Sequence, residues 1–557
     1  MNRRFSLLLW ALLLPSLLWA ASPAGLVPVR IHLESHDDVY RLHSLGLSIE
    51  GLSRNVAEAM VSPAQLRTLK DLGWRVEEVK PSAPDPKIVQ AYHDYDWLTA
   101  KLDSVHSAYP GITRKISIGK SVENRDLLAF LVSDNPDSAE NEAELRIAAT
   151  IHGNEPVGTE LCIAMIDSLT QAYGSVPEIA SLVDNREIWF LPMFNPDGNA
   201  ANTRYNAFGT DLNRNYPVPD GSIGDDGTYE LEPENQAMMD WVNSRHFVLG
   251  WMYHGGALVA NYHWDFSDSL GYPLPDHHLI REISLGYARL NSPMYNETDD
   301  YNYDGLADSG VVFGYYWYQV KGTLQDWSYY TNSMIDITLE IGYIKKPSAS
   351  SLPTYWSDNR QSMLALINKA GQGIQGLVTD SVTGQPLNNA LVSVAGNSKS
   401  VYSDTAGDYH RLLLSGIYDF SFSKAGYVTK TVNGVRVNYD SLTNLNVALA
   451  KEPVGVEGTA SEIICRKDGW LKTWPNPLRG SVTASFQLET ASHCRIAVYN
   501  AAGQTVRTLL RGGLAPGIHQ VQWDGHDAAG RNTASGIYYL ILEAGGNRST
   551  GKLVKLK

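Results

Sequence analysis

Apolar and polar positions change rhythm several times along the chain, and each change marks a different unit. An apolar stretch runs from Phe5 to Trp19 behind Arg3 and Arg4 and ends at the small pair Ala20-Ala21. A charged start, a short apolar core and small residues at its end predict a signal peptide over 1–21. Between 24 and 80, two extended stretches, Val27–Leu33 and Gly73–Val79, surround a helical pattern that runs from Ser62 to Gly73. This predicts a small α/β unit in the place of a prosegment. Pro81, Pro84 and Pro86 then mark a linker. From 88 to 371 helical and strand rhythms mix, with strand-like runs at Ile147–Ile151, Glu187–Phe194 and Ile335–Ile341. After Gly371 helical periodicity disappears, and short strands alternate with Gly, Asn, Asp and Pro turns. Residues 374–449 and 471–557 are expected to be two all-β sandwiches, with a weakly patterned linker at 450–470.

Composition narrows the function. The chain has 557 residues, enough for several domains, and a net charge of −15, which argues against a nucleic-acid partner. The charge is uneven: Arg466 onward carries 12 Lys+Arg against 5 Asp+Glu, so a basic C-terminal module follows an acidic body. After the first 21 residues no run is long and apolar enough to span a bilayer. The cysteines, Cys162, Cys465 and Cys494, are too few for a disulfide scaffold, although Cys465 and Cys494 could pair. Cys162 sits in an apolar stretch and is expected in a core.

The candidate chemistry lies between 150 and 341. His152 and Glu155 follow the strand-like run Ile147–Ile151, where a strand end opens toward a helix. Their spacing can place an imidazole nitrogen and a carboxylate around one Zn²⁺, though alone it also fits a solvated His beside a helix-capping Glu. A turn at Asn195–Gly198 follows, then a segment rich in Arg and Asn from Arg204 to Pro217. His254 ends an apolar strand, a segment from Trp317 to Trp327 carries Tyr318 and Gln325, and Glu340 stands in Ile337–Ile341. Alternation there puts Ile337, Leu339 and Ile341 on one face and Glu340 on the other.

Together and in this order, these motifs resemble the catalytic domain of the funnelin metallocarboxypeptidases, nearest to their regulatory carboxypeptidase N/E-type branch. The resemblance implies a mixed β-sheet with helices on both faces, and one Zn²⁺ held by His152, Glu155 and His254. It implies Glu340 as general base, and Asp211 as the partner that fixes the tautomer of the first zinc histidine. Arg214 and Asn213 match the grip on the substrate's α-carboxylate, Arg204 the group that stabilises the oxyanion, and Tyr318 a mobile tyrosine that closes over the bound C-terminal residue. Asp265, 11 residues after His254, and Gln325, seven after Tyr318, match the basic-specific pocket, which implies a preference for C-terminal Arg or Lys. Asp265 could otherwise cap a turn.

Residues 374–449 resemble the transthyretin-like domain of that branch. Residues 471–557 resemble C-terminal sorting domains of type IX secretion and related FlgD-like Ig folds. The expected protein is an exported, bacterial, secreted or cell-surface carboxypeptidase. Peptide or protein C-termini would be its substrates, and secretion machinery a partner of its last domain. Two rivals remain: a same-fold peptidoglycan hydrolase cutting beside diaminopimelate, and an inactive surface-binding protein.

Overall fold

The computed structural model describes residues 27–452 and 471–555, apart from 36, 48, 54–55, 79–91, 139, 220–221, 225–229, 268–273, 298–308, 439–440, 475–480, 489–491, 501–503, 515–516 and 545–546. The expected signal peptide, the linker at 81–86, most of the linker at 450–470 and Cys465 lie outside the described residues. The chain divides into two units, Met1–Glu452 and Pro453–Lys557.

The first unit opens with strand β1 (Val27–His32), helix α1 (Asp37–Ser44), β2 (Ile49–Ser53), β3 (Val56–Val61), α2 (Pro63–Asp71) and β4 (Val76–Glu78), whose sheet order is β2-β3-β1-β4. The sequence reading found the first and last strands and α2 but not α1, β2 and β3. Helix α2 was legible because Ser62 and Gln65 form a reciprocal capping box ahead of it. Val29, Ile31 and Ala59 on one face of this sheet share a cluster with Leu42 of α1 and with Leu66 and Leu69 of α2, and the cluster also takes in Leu52 and, from the domain that follows, Ala257, Val259, Val312 and Trp317.

The next domain holds an eight-stranded mixed sheet in the order β11-β10-β12-β9-β7-β8-β6-β5. Its strands are β5 (Thr113–Lys120), β6 (Asp126–Val132), β7 (Ala143–Ala149), β8 (Arg186–Leu191), β9 (Phe247–His254), β10 (Ala257–Tyr262), β11 (Val311–Phe313) and β12 (Ile335–Gly342). Alternation sorts their side chains onto two faces. Leu145, Ile147, Leu249, Trp251, Ile337 and Leu339 pack on one side with helices α3 (Tyr95–Ala108), α4 (Val157–Ala172) and α6 (His277–Ala288). Cys162 of α4 is fully buried in that core, as expected. Ala148, Trp189 and Met252 pack on the other side with α5 (Pro233–Asn243) and α7 (Leu324–Asn332). Helix α8 (Leu352–Ala370) closes the domain.

A β-sandwich follows. One sheet joins β13 (Gly373–Asp380) to β16 (Asp408–Arg411), β19 (Leu442–Asn444) and β20 (Val447–Leu449). The other has the order β15-β14-β17-β18, from β14 (Leu391–Val394), β15 (Ser400–Tyr402), β17 (Gly416–Ser423) and β18 (Lys430–Val437). Between them lies a core of Ile374, Val392, Tyr409 and Phe422. A buried polar clamp ties this sandwich to the mixed-sheet domain. Arg411 donates to both oxygens of Asp276 at 2.8 Å, and Asn397 and the Tyr329 hydroxyl donate to the same carboxylate. Lys399 donates to the carbonyls of Tyr329 and Tyr330 in the last turn of α7, each at 2.8 Å.

In the second unit, sheets β21-β22-β25 and β24-β23-β26-β27 form a second sandwich, from β21 (Leu471–Trp474), β22 (Val482–Leu488), β23 (Ser492–Asn500), β24 (Thr505–Leu514), β25 (Gly517–Trp523), β26 (Gly536–Ala544) and β27 (Asn547–Lys555). Cys494 lies in its core, without a disulfide partner among the described residues.

Candidate functional site

The parallel strands β7, β9 and β12 end at one edge of the sheet, where α/β proteins place their sites. His152 and Glu155 lie in the segment between β7 and α4. His254 is the last residue of β9 and pairs in register with Glu340 of β12. Glu340 is 8% exposed. Its side of the strand faces a cavity, not solvent.

Three loop segments meet around Asn195. It caps a short helix, Pro196–Ala201, where the sequence reading expected only a turn; Pro at the first helical position favours the helix. Asn195 accepts the Gly198 N–H at 2.8 Å and donates to the carbonyls of Ile151 at 3.1 Å and Arg204 at 3.4 Å. The contact with the His152 loop is so close that a Cβ on Gly153 would lie 2.0 Å from the Gly198 backbone.

His152 Nδ1, His254 Nδ1 and Glu155 Oε2 form a nearly equilateral triangle with sides of 3.0, 3.2 and 3.2 Å. All three side chains are buried. Tetrahedral Zn²⁺, at about 2.0–2.1 Å from each donor, spaces its ligands by about 3.3 Å, so the triangle fits the ion. His152 Nε2 faces Asp211 Oδ1 at 3.2 Å, which leaves the Nδ1 lone pair for a metal. Two imidazole nitrogens and a carboxylate oxygen facing one another are a donor set that suits Zn²⁺.

Asp211 organises the neighbouring side chains. It caps the short 3₁₀ turn Leu212–Arg214 and accepts the Asn213 N–H at 2.9 Å and Arg204 Nε at 2.8 Å. Burial alone would raise its carboxyl, but Arg204 and His152 outweigh that and hold it well below the usual carboxylate range. Asn213 accepts the Leu324 N–H at 3.0 Å. Arg214 spends Nη1 on the Asn213 carbonyl, whereas its Nε and Nη2 are buried without a partner among the described residues. Two parallel unpaired N–H groups suit a carboxylate. Burial pushes Glu340 up to about 7 against the pull of His254, with the Glu155 charge adding to the rise. Burial also raises Tyr318 to about 12.

One cavity is lined by His152, Glu155, His254, Arg204, Asn213, Arg214, Asp265, Tyr318 and Glu340. Asp211 and Gln325 stand behind the wall, each one hydrogen bond away. Gln325 donates to Asp265 Oδ2 at 2.8 Å and accepts the Thr338 N–H at 2.9 Å. Asn261 donates to Asp265 Oδ1 at 3.0 Å. A Cβ on Gly314 would lie 1.9 Å from that same oxygen, so glycine keeps the space above Asp265 open.

The sequence reading missed several neighbours. Asn261, a polar residue within the apolar strand β10, carried a signal. Lys345, five residues after Glu340, carried none; its Nζ lies 3.6 Å from Glu155 Oε1 and 3.7 Å from Glu58 Oε2 of β3. Leu52 and Glu58 of the N-terminal unit complete the cavity wall.

Separate stretches of the chain match known families. Residues 98–362 match the zinc carboxypeptidase family model, 373–450 the carboxypeptidase regulatory-like domain and 474–547 the FlgD Ig-like domain. Carboxypeptidase M of Mus musculus is 34% identical over 376 residues, 63% of this chain and 83% of that protein. The carboxypeptidase N catalytic chain of Homo sapiens is 34% identical over 61% of this chain and 82% of its own length. Carboxypeptidase D of Anas platyrhynchos is 34% identical over 77% of this chain, which spans 33% of that longer protein. The crystal structure of carboxypeptidase A from Helicoverpa armigera superposes with a TM-score of 0.52 at 15% identity, covering 62% of this chain and 97% of that one, a likeness of fold.

Proposed function

Because the chain belongs to the zinc carboxypeptidase family, we propose that it is an exported metallocarboxypeptidase that removes single C-terminal residues, preferring Arg and Lys. The observation that carries this reading is one buried cavity holding the His152–Glu155–His254 triangle, the unpaired Arg214 donors and the Asp265 carboxylate. Bound zinc lowers the pKa of water and polarises a carbonyl. The chain's own side chains supply the rest. Arg214 and Asn213 hold the free α-carboxylate, which restricts cutting to the last peptide bond. Glu340, its unpaired Oε2 facing the same cavity, takes the proton of the attacking water and passes it to the leaving amine. Arg204 stabilises the oxyanion. Tyr318 closes over the departing residue, whose cationic end pairs with Asp265 while Gln325 holds that carboxylate in place.

Two further roles follow from position. The N-terminal unit, with Leu52 and Glu58 in the cavity wall, restricts access to the site. The last domain acts in secretion or surface attachment in a bacterium; among the described residues no helix is long and apolar enough to cross a membrane.

A C-terminal profile on purified protein tests the reading. Peptides differing only in their last residue should lose that residue alone, fastest when it is Arg or Lys. A chelator should abolish release and Zn²⁺ restore it. Undiminished cleavage in a metal-free preparation would overturn the zinc assignment, and selective cutting of muropeptides beside diaminopimelate would favour the peptidoglycan rival.

A further inference from the structure

Asp326 is a second carboxylate buried beside Asp265, and both residues are 3% exposed. Asp326 accepts the Asp265 N–H on its two oxygens at 3.1 and 3.0 Å and the Phe266 N–H at 3.3 Å. Asp265 is held by the amides of Asn261 and Gln325. The Thr323 hydroxyl stands near both carboxylates. The donors to the pair are therefore amides and backbone N–H groups, not cations. Among the described residues, Arg214 is a cation whose field reaches Asp265, Tyr318 feels the Asp265 charge, and Arg204, His254, Glu340 and Lys345 line the same cavity. Two neighbouring carboxylates in a dry site resist ionising together. A cation placed between the pocket floor and solvent removes that resistance.

We propose that Asp265 and Asp326 share one proton while the pocket is empty or holds an apolar side chain, and release it to solvent when a departing Arg or Lys side chain enters. The preference for basic over apolar C-terminal residues then depends on pH. The inference rests on reading Asp265 as the pocket floor. Burial raises both carboxyls, and the Asp265 charge raises Asp326 further, in the direction the proposal needs. The proton belongs to the pair rather than to either residue. Asp326 is a positioning residue: it fixes the Asp265 backbone and sets the pH at which Asp265 becomes an anion.

The sign follows from proton release. At low pH an entering cation must displace a proton, which weakens binding of Arg and leaves Leu unaffected. As pH rises, the Arg/Leu ratio of kcat/KM should climb by up to about tenfold per unit, the limit for one released proton, and then level off. Ionisations of the zinc site act on both substrates and cancel in the ratio.

The experiment uses the full chain with zinc and two peptides differing only in a C-terminal Arg or Leu, assayed from pH 5 to 9. The expected result is a ratio that rises and then flattens, and Asp326→Asn should move the rising limb to lower pH. Calorimetry on the unaltered protein, in buffers of different ionisation enthalpy, adds a readout that does not depend on the variant folding. L-Arginine should release a proton on binding at pH values within the rising limb, and L-leucine should not. A high ratio that is flat with pH, with no proton released, overturns the shared proton and leaves Asp265 as the pocket floor. No preference for Arg at any pH overturns both.

Discussion

Glu340 and Asp265 are carboxylates in one cavity, but their neighbours differ. Glu340 sits beside His254 and the Glu155 charge, with one oxygen unpaired. Asp265 has both oxygens tied to neutral amides. Replacing Glu340 by Gln keeps the size and removes the base. Zinc content and the thermal transition should stay as they are while kcat falls about 10²–10⁴-fold; a near-normal kcat would place the base elsewhere. Asp265→Ala should instead spare zinc and the hydrolysis of Leu-ended peptides. An unpaired buried charge costs about 3–5 kcal/mol, so the unaltered protein should favour Arg over Phe by at least about 100-fold at alkaline pH. The variant should lose most of that. A variant that keeps its basic preference would reduce Asp265 to a turn residue. At this scale His152, Glu155 and Glu340 were legible through the set of motifs they belong to, since the spacing of His152 and Glu155 alone also fits a solvated His and Glu340 alone fits an ordinary strand residue. Asp326 escaped because an acid in the first turn of a helix is ordinary at that place. Lys345, Leu52 and Glu58 escaped because folding, not spacing, brings them to the cavity.

Among the elements, β12 was legible because alternation alone separates its core face from the face bearing Glu340. The Asn195 segment was not, since Asn-Pro-Asp-Gly serves equally as a turn or as the start of a short helix. Helix α7 shows what a boundary reading misses. Its first turn carries Gln325 and Asp326, and its last turn reaches the clamp through Tyr329 and Lys399. Arg411 and Asp276 are 2% and 3% exposed at the side chain, so water does not screen them. Arg411→Ala should destabilise the first unit by about 3–5 kcal/mol, because it strands a buried anion. Differential scanning calorimetry would read this as a lower Tm, and the KM for Arg-ended peptides should rise with it. An unchanged Tm would mean that Asn397 and Tyr329 hold Asp276 adequately alone.

Over the whole molecule, the shift from mixed to purely strand-like rhythm after Gly371 made the succession of domains visible in sequence. The packing of the N-terminal unit was not visible, because its contacts with β10 and Trp317 span more than two hundred residues. If that unit restricts entry, a specific protease site placed at 81–86 allows its release after folding. Peptide kcat/KM should rise when the fragment leaves, with zinc content unchanged. Unaltered kinetics after verified loss of the fragment would make Leu52 and Glu58 mere rim residues.

The clamp at Asp276 also bears on how such a chain can be divided or inherited. A truncation at residue 371 respects the visible boundary between domains. It would nevertheless remove Lys399 from the carbonyl end of α7 and leave Asp276 without its guanidinium partner. The catalytic domain and the sandwich behind it are therefore not interchangeable parts. Exchanging the sandwich for one from a relative would transplant the far support of the helix that carries Gln325 and Asp326. A change more than seventy residues from the pocket in sequence could then alter which C-terminal residue is preferred.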